Sequence, residues 1–267
     1  MIVDCQIHLW SNAAAPPHHR SKPFLADEVI REMRAAGVDR VINCPAIWDP
    51  GANELGNTAA QQHPDQIATM GWFKLSPVAD EDIVRNWKRQ KGMLGLRFVV
   101  VTQEQRSLFA DGALDWIWRT AEQCNLPVAL GIIGGLPHIK RIAVEYPRLR
   151  IMIDHMGAGP AGKVPHVFDH FTELLPLAAF SNVAVKASAA PAYATDGYPF
   201  RSVHPYLQQI FDAFGPNRMF WGTDITRMPC SWRECVTMFS EELPWLAGRD
   251  KDLVMGDALC EWLDWAK

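Results

Sequence analysis

Hydrophobic and polar positions along the 267-residue chain follow two different periods, and the switches between them divide it into elements. Apolar runs of strand length alternate with stretches whose apolar residues recur every three or four positions, the spacing of one helix face. The strand-like runs are Ile2 to Trp10, Arg40 to Pro45, Gln66 to Phe73, Met93 to Val101, Pro127 to Ile133, Leu149 to His155, Asn182 to Ser188 and Arg218 to Asp224. Between them the pattern predicts helices over Asp27 to Ala36, a stretch ending near Gln62, Asp80 to Lys91, Asp111 to Cys124, Leu136 to Tyr146, Val164 to Leu174 and Pro205 to Phe214. Two helical stretches, Ser231 to Leu243 and Asp250 to Trp265, close the chain. Asp27 reads as the N-cap of the first helix and Gly37 as its stop. The run from Pro127 to Ile133 is nearly all apolar, as strands covered on both faces are.

Eight strands, each followed by a helix, is the count of a closed (β/α)8 TIM barrel, and the length suits one such domain over residues 1–267. An open doubly wound sheet is the alternative. It calls for a Gly-rich phosphate turn after the first strand, and Leu9-Trp10-Ser11 is not one. A barrel makes a demand of its own: the chemistry belongs at the C-terminal ends of several strands.

Polar residues sit where that demand puts them. His8 ends the first strand, Arg97 lies late in the fourth, Asp154-His155 ends the sixth, Lys186 is in the seventh and Asp224 ends the eighth. Asp4, Gln6 and His8 are two apart, so a regular strand would put all three on one face. Gln6 and His8 are then the edge of an active site. His155 precedes Met156-Gly157, where backbone turns closely; its bland alternative is a hydrogen-bonded loop histidine beside a capping Asp154. Asp224 could act as general base or metal ligand, or merely cap the next turn. Arg97 is the candidate clamp for a substrate carboxylate, with an internal ion pair as its structural alternative. Lys186 could pair with a carboxylate or polarise a carbonyl, or serve only a structural role. Trp10, Trp48 and Trp221 fall near strand ends and could wall an aromatic pocket. His18 and His19 lie on a Pro-rich loop at the barrel mouth. His166 and His170, four apart on an outer helix, read as a solvated pair. The loops also carry Arg20, Arg201 and Arg227, which hints at an anionic small-molecule substrate, with Arg227 among the substrate-binding candidates.

Charge and composition mainly exclude. Hydrophobic residues make up 48% of the chain, enough for a sizeable core. A net charge of −4 without any basic stripe argues against nucleic acid. No apolar run reaches the length of a membrane helix. The first residues enter a strand with no secretory pattern, and the six scattered cysteines contain no C-x-x-C, so reduced thiols in a cytoplasmic protein are expected. A homo-oligomer is compatible with all of this.

These residues carry a likeness over the whole chain. The sequence resembles the amidohydrolase superfamily, in the branch that includes 2-pyrone-4,6-dicarboxylate lactonase and related metal-dependent hydrolases and decarboxylases. The likeness rests on Val3-Asp4-Cys5-Gln6-Ile7-His8-Leu9-Trp10, Gly95-Leu96-Arg97-Phe98, Ile153-Asp154-His155-Met156-Gly157, Val185-Lys186-Ala187-Ser188, Trp221-Gly222-Thr223-Asp224 and Val254-Met255-Gly256-Asp257-Ala258-Leu259. It implies a TIM-barrel hydrolase with strand-one, strand-six and strand-eight site residues, here His8, His155 and Asp224. Two departures stand out. Gln6 replaces the first histidine of the family's strand-one pair. Strand five, around Leu130 and Gly131, lacks the ligand that the family's decarboxylases place there. Lactonase-like members of the branch work without metal, which fits the loss of one histidine. The expectation is therefore a lactone, ester or amide hydrolase. Asp224 would activate water, Gln6, His8 and His155 would surround the substrate carbonyl, and Arg97 with Lys186 would hold an anionic group. The cofactor is either none or one divalent ion, zinc or manganese, on His8, His155 and Asp224. Decarboxylation of an aromatic or unsaturated acid, and a barrel that only binds a small acid, are the alternatives.

Overall fold

The computed structural model describes residues 1–12 and 14–266; Ala13 and Lys267 lie outside the described residues. Eight parallel strands form one sheet in chain order: β1 (Val3–Ile7), β2 (Arg40–Asn43), β3 (Ile67–Trp72), β4 (Met93–Val100), β5 (Val128–Ile132), β6 (Ile151–Ile153), β7 (Val183–Ala187) and β8 (Met219–Trp221). Helices connect them, so the (β/α)8 barrel read from the pattern is the fold. Large aliphatic and aromatic side chains, Ile7, Val41, Leu96, Leu130 and Val185 among them, pack between strands and helices. A second cluster of smaller residues, including Val3, Cys5, Ala68, Ala129 and Ala184, fills the barrel interior. Leu259, Cys260 and Leu263 of the closing helix pack into the same cluster, so the chain end plugs the barrel floor. This leaves the C-terminal ends of the strands as the open face.

The seam between β8 and β1 is held by a side chain. Asp4 accepts hydrogen bonds from the backbone N–H of Thr223 at 2.9 Å and of Gln6 at 3.0 Å, from the Thr223 hydroxyl, and from Trp232 Nε1 at 2.9 Å. The Asp224 N–H donates to the Gln6 carbonyl beside it. The register of β1 on β2 shifts between Asp4 and Ile7. That irregularity breaks the two-residue alternation, so Asp4 turns to β8 and Trp232 rather than sharing the face of Gln6 and His8. Gly222 allows the close approach, since a Cβ there would lie 2.5 Å from Cys5 Sγ. Burial raises the pKa of Asp4 to about 6, more than these donors lower it.

Asp4→Ala would orphan four buried donors at once. The expected cost is about 3–5 kcal/mol, or roughly a 10 °C lower melting temperature for a chain of this size. Thermal denaturation followed by circular dichroism checks it. A melting temperature within 2 °C of the wild type would contradict the role given to this carboxylate.

Several helix limits differ from the pattern. The first helix spans Ala26–Ala36 with Leu25, not Asp27, at its N-cap; Asp27 instead lies in the first turn, and Gly37 closes the helix in the left-handed conformation as expected. The stretch from Asp80 to Lys91 holds two short pieces, Glu81–Arg85 and Trp87–Arg89. A helix over Gln103–Ala110 was not anticipated and precedes Asp115–Gln123. The stretch from Val164 to Leu174 breaks into single turns. The last stretch is interrupted by a wide turn over Leu253–Asp257.

Candidate active site

The open end of the barrel holds a cavity of about 420 Å³, and its floor is the polar cluster expected from the strand ends. Asp224 lies three residues past β8 with φ 54°. His155 and Met156 follow β6 in the same left-handed region, at 51° and 57°. Such conformations in non-glycine residues cost energy and collect at functional sites. The β6 turn is braced from outside: His170 Nε2 donates to the Met156 carbonyl at 2.8 Å. His170 is therefore not a solvated histidine, whereas His166 is exposed beside Asp169.

The imidazoles are oriented by their far nitrogens. His8 Nδ1 is 2.5 Å from the Cys44 carbonyl, which can only accept, so the proton sits on Nδ1 and Nε2 turns to the cavity. His155 Nδ1 meets the Ser188 hydroxyl at 2.8 Å, and His19 Nδ1 meets Thr226 Oγ1 at 2.8 Å. Asp224 Oδ1 lies 3.2 Å from His8 Nε2, off the line of a hydrogen bond, and Oδ2 lies 3.7 Å from His155 Nε2. Arg227 Nη1 stands 3.5 Å from Oδ2 while its guanidinium rides over the Tyr193 ring. Burial works against ionising Asp224, but His8, His155 and Arg227 outweigh it and hold the carboxyl well below its ordinary range. Burial lowers His155 and His19 to about 3 each, so both are neutral at pH 7.

His155 gives the apoprotein a pH signature. An unfolded histidine titrates near 6.5, so below that pH the unfolded chain takes the proton first. Stability is complete above about 6.5 and is lost as the pH falls towards 3. The expected loss from His155 between pH 6.5 and 5 is about 2 kcal/mol; His19 acts in the same direction. Urea unfolding of the wild type and His155→Asn at pH 7 and pH 5 checks it. An equal pH dependence in both would contradict it.

The other expected residues separate into two groups. Arg97 and Arg227 line the cavity. Gln6, Lys186, Trp10 and Trp221 are buried and are not among its lining residues. Lys186 Nζ lies 2.9 Å from Asp154 Oδ1 and donates to Gln6 Oε1 at 2.9 Å. Arg97 Nε donates to Asp154 Oδ2 at 2.8 Å, so Asp154 bridges both cations. Burial opposes its ionisation, yet Lys186 and Arg97 together drive its pKa below the usual carboxylate range. Trp10 supports Trp48 edge-on at 5.7 Å and bridges to Phe24, pinning the loop that carries His18 and His19. Trp48, by contrast, does line the cavity. Ser188, Thr226 and the wall residues Val99, Val101, Ile132 and Ile133 were not singled out from sequence. Val99 and Val101 continue the two-residue spacing from Arg97, which is the signal that would have found them.

A metal ion fits the donor set. Among the described residues, ligand atoms of His8, His19 and Asp224 lie within 4.8 Å of one another. A neutral imidazole is the ligating form, and Asp224 Oδ1 is buried without a hydrogen-bond partner. His19, rather than the His155 of the expected set, completes this group with His8 and Asp224.

The amidohydrolase family model matches residues 3–232. This chain belongs to the amidohydrolase family. It is 36% identical to L-fucono-1,5-lactonase of Burkholderia ambifaria over 232 residues, 83% of this chain and 79% of that one. Its fold is similar to that of an amidohydrolase from Burkholderia multivorans solved with bound zinc, with a TM-score of 0.81, 16% identity and 99% of both chains covered. It is also similar to a 2-pyrone-4,6-dicarboxylic acid hydrolase from Pseudomonas putida, with a TM-score of 0.80, 19% identity and 100% and 98% of the two chains covered. The protein is a hydrolase of this family, and no helix among its described residues is long and apolar enough to cross a membrane.

Proposed function

We propose that this amidohydrolase opens the ring of a small lactone by attack of water on its acyl carbon. The observation that carries the reading is the ionised Asp224, buried at the cavity floor between His8 Nε2 and His155 Nε2 with Arg227 behind it. Its curated lactonase relative supports a cyclic ester as substrate.

Each residue has a part. Asp224 accepts the proton of the attacking water. Arg227 and Arg97, the cations on the cavity wall, face the negative charge that develops on the carbonyl oxygen and then on the product carboxylate. His8 and His19, fixed through Nδ1, set the position of the water beside Asp224. Gln6 acts through Lys186: its Oε1 anchors the ammonium that keeps Asp154 and Arg97 in place. A carboxylate with so depressed a pKa is a weak base for ordinary water, since efficient bases titrate near the working pH. A divalent ion held by His8, His19 and Asp224, beside His155, would bring the pKa of water towards 7.

The decarboxylase alternative has less support. The resemblance places a ligand on strand five for that reaction, and the position facing the site there is Gly131, beside Arg97 and Asp154.

A pH-stat assay over a panel of γ- and δ-lactones, run with zinc and with manganese, tests the proposal against carbon dioxide release from hydroxybenzoic acids. Saturable acid release from lactones alone is the expected result. Carbon dioxide release without lactone hydrolysis would overturn it.

A further inference from the structure

We infer that the substrate carries an apolar substituent, and that this enzyme is built for an alkyl or aryl lactone rather than a polyhydroxylated sugar lactone; the inference deepens the lactone reading and rests on it. The polar groups of the cavity gather at its floor and on the His18–His19 side. Above Arg97, the wall built by β4 and β5 is carbon. On β4 and just past it, Arg97, Val99 and Val101 are successive inward positions, so the wall climbs about 7 Å per side chain from a guanidinium to two valines. Ile132 and Ile133 stand beside them from β5 and its end, and Ile47 and Trp48 close the space from the β2 loop. Among the described residues lining the cavity there is no serine, threonine, asparagine, glutamine or tyrosine.

The backbone of that wall is engaged as well. Val101 N–H donates to Gln105 Oε1 at 2.8 Å, and Ile133 N–H to the Val100 carbonyl at 3.2 Å. The carbonyls of Val101 and Ile133 both accept from Arg106 Nη1, at 2.9 and 3.4 Å. Gln105 and Arg106 belong to the helix over Gln103–Ala110, whose place beside the rim thus has a use. A sugar hydroxyl pressed against Val99, Val101, Ile132 and Ile133 would lose water and find no partner there, which carries a penalty for each group. An alkyl chain would gain. Ile47, Val101 and Ile133 are also 44, 47 and 38% exposed. Three of the chain's few exposed large aliphatics meet at the rim of the cavity that holds Asp224, and a substituent leaving the ring would cover them.

The test uses the open-chain product acids, which bind without turnover. Dissociation constants of 5-hydroxypentanoate, 5-hydroxyoctanoate, 5-hydroxydecanoate and gluconate are measured on the protein by calorimetry, with and without added zinc, alongside hydrolysis of the matching δ-lactones. Affinity is expected to rise roughly fourfold per methylene that enters the wall, with gluconate weakest. In Val101→Asn/Ile133→Asn, both at the exposed rim, the factor per methylene should fall below twofold. A series flat with chain length, or gluconate binding tightest, would overturn the inference. A rising series without hydrolysis of any lactone would support the apolar pocket and sink the lactone reading; hydrolysis with a flat series would do the reverse.

Discussion

Asp224→Asn should lower turnover about a thousandfold or more while the barrel stays folded. The amide is nearly isosteric, but it neither accepts a proton from water nor balances a cation, and loss of a positioned base alone is worth two to four orders of magnitude. The backbone will tolerate the change. Position 224 has φ 54°, and asparagine is among the few residues that adopt this region readily. Its N–H bond to the Gln6 carbonyl is unaffected. The variant should therefore keep a wild-type circular dichroism spectrum and lose activity. More than a tenth of wild-type turnover in a folded variant would remove Asp224 from the chemistry.

Lys186→Met should chiefly destabilise, by about 3–5 kcal/mol, the cost of breaking one partner out of a buried ion pair. The ammonium is wholly buried, sits 2.9 Å from Asp154, and satisfies Gln6 Oε1. Without it, Asp154 leans on Arg97 alone, and the Gln6 oxygen keeps only the Cys44 thiol at 3.1 Å. A structural role predicts a large fall in urea midpoint with turnover per folded molecule reduced less than tenfold at low temperature. Wild-type stability with lost activity would instead put the ammonium in contact with substrate.

Much of this arrangement was written locally. His8, Asp224 and His155 stand out because each is polar at the end of an apolar strand, and a barrel collects such ends on one face. The eight strands were legible for the same reason: their periods are regular and the intervening helices are amphipathic. The seam was not, because the register shift in β1 turns Asp4 away from the face that alternation assigns it. Nor was the division between Arg97 and Lys186. Both are cations on inward strand positions, and only the folded geometry shows that Asp154 spends one face on each while Arg97 alone reaches the cavity. The helix over Gln103–Ala110 buries only Phe109, so its apolar period is too faint to read; its capping box, Thr102 with Gln105, was the available sign.

The account stands on water attacking the acyl carbon of a lactone beside Asp224, and isotopic labelling tests that most directly. A δ-lactone hydrolysed by the enzyme in water enriched in oxygen-18 should yield one labelled oxygen in the product carboxylate and none in the hydroxyl, analysed by mass spectrometry of the fragmented acid. Label in the hydroxyl, from attack at the alkyl carbon, would contradict the mechanism and the roles given to Asp224, Arg97 and Arg227.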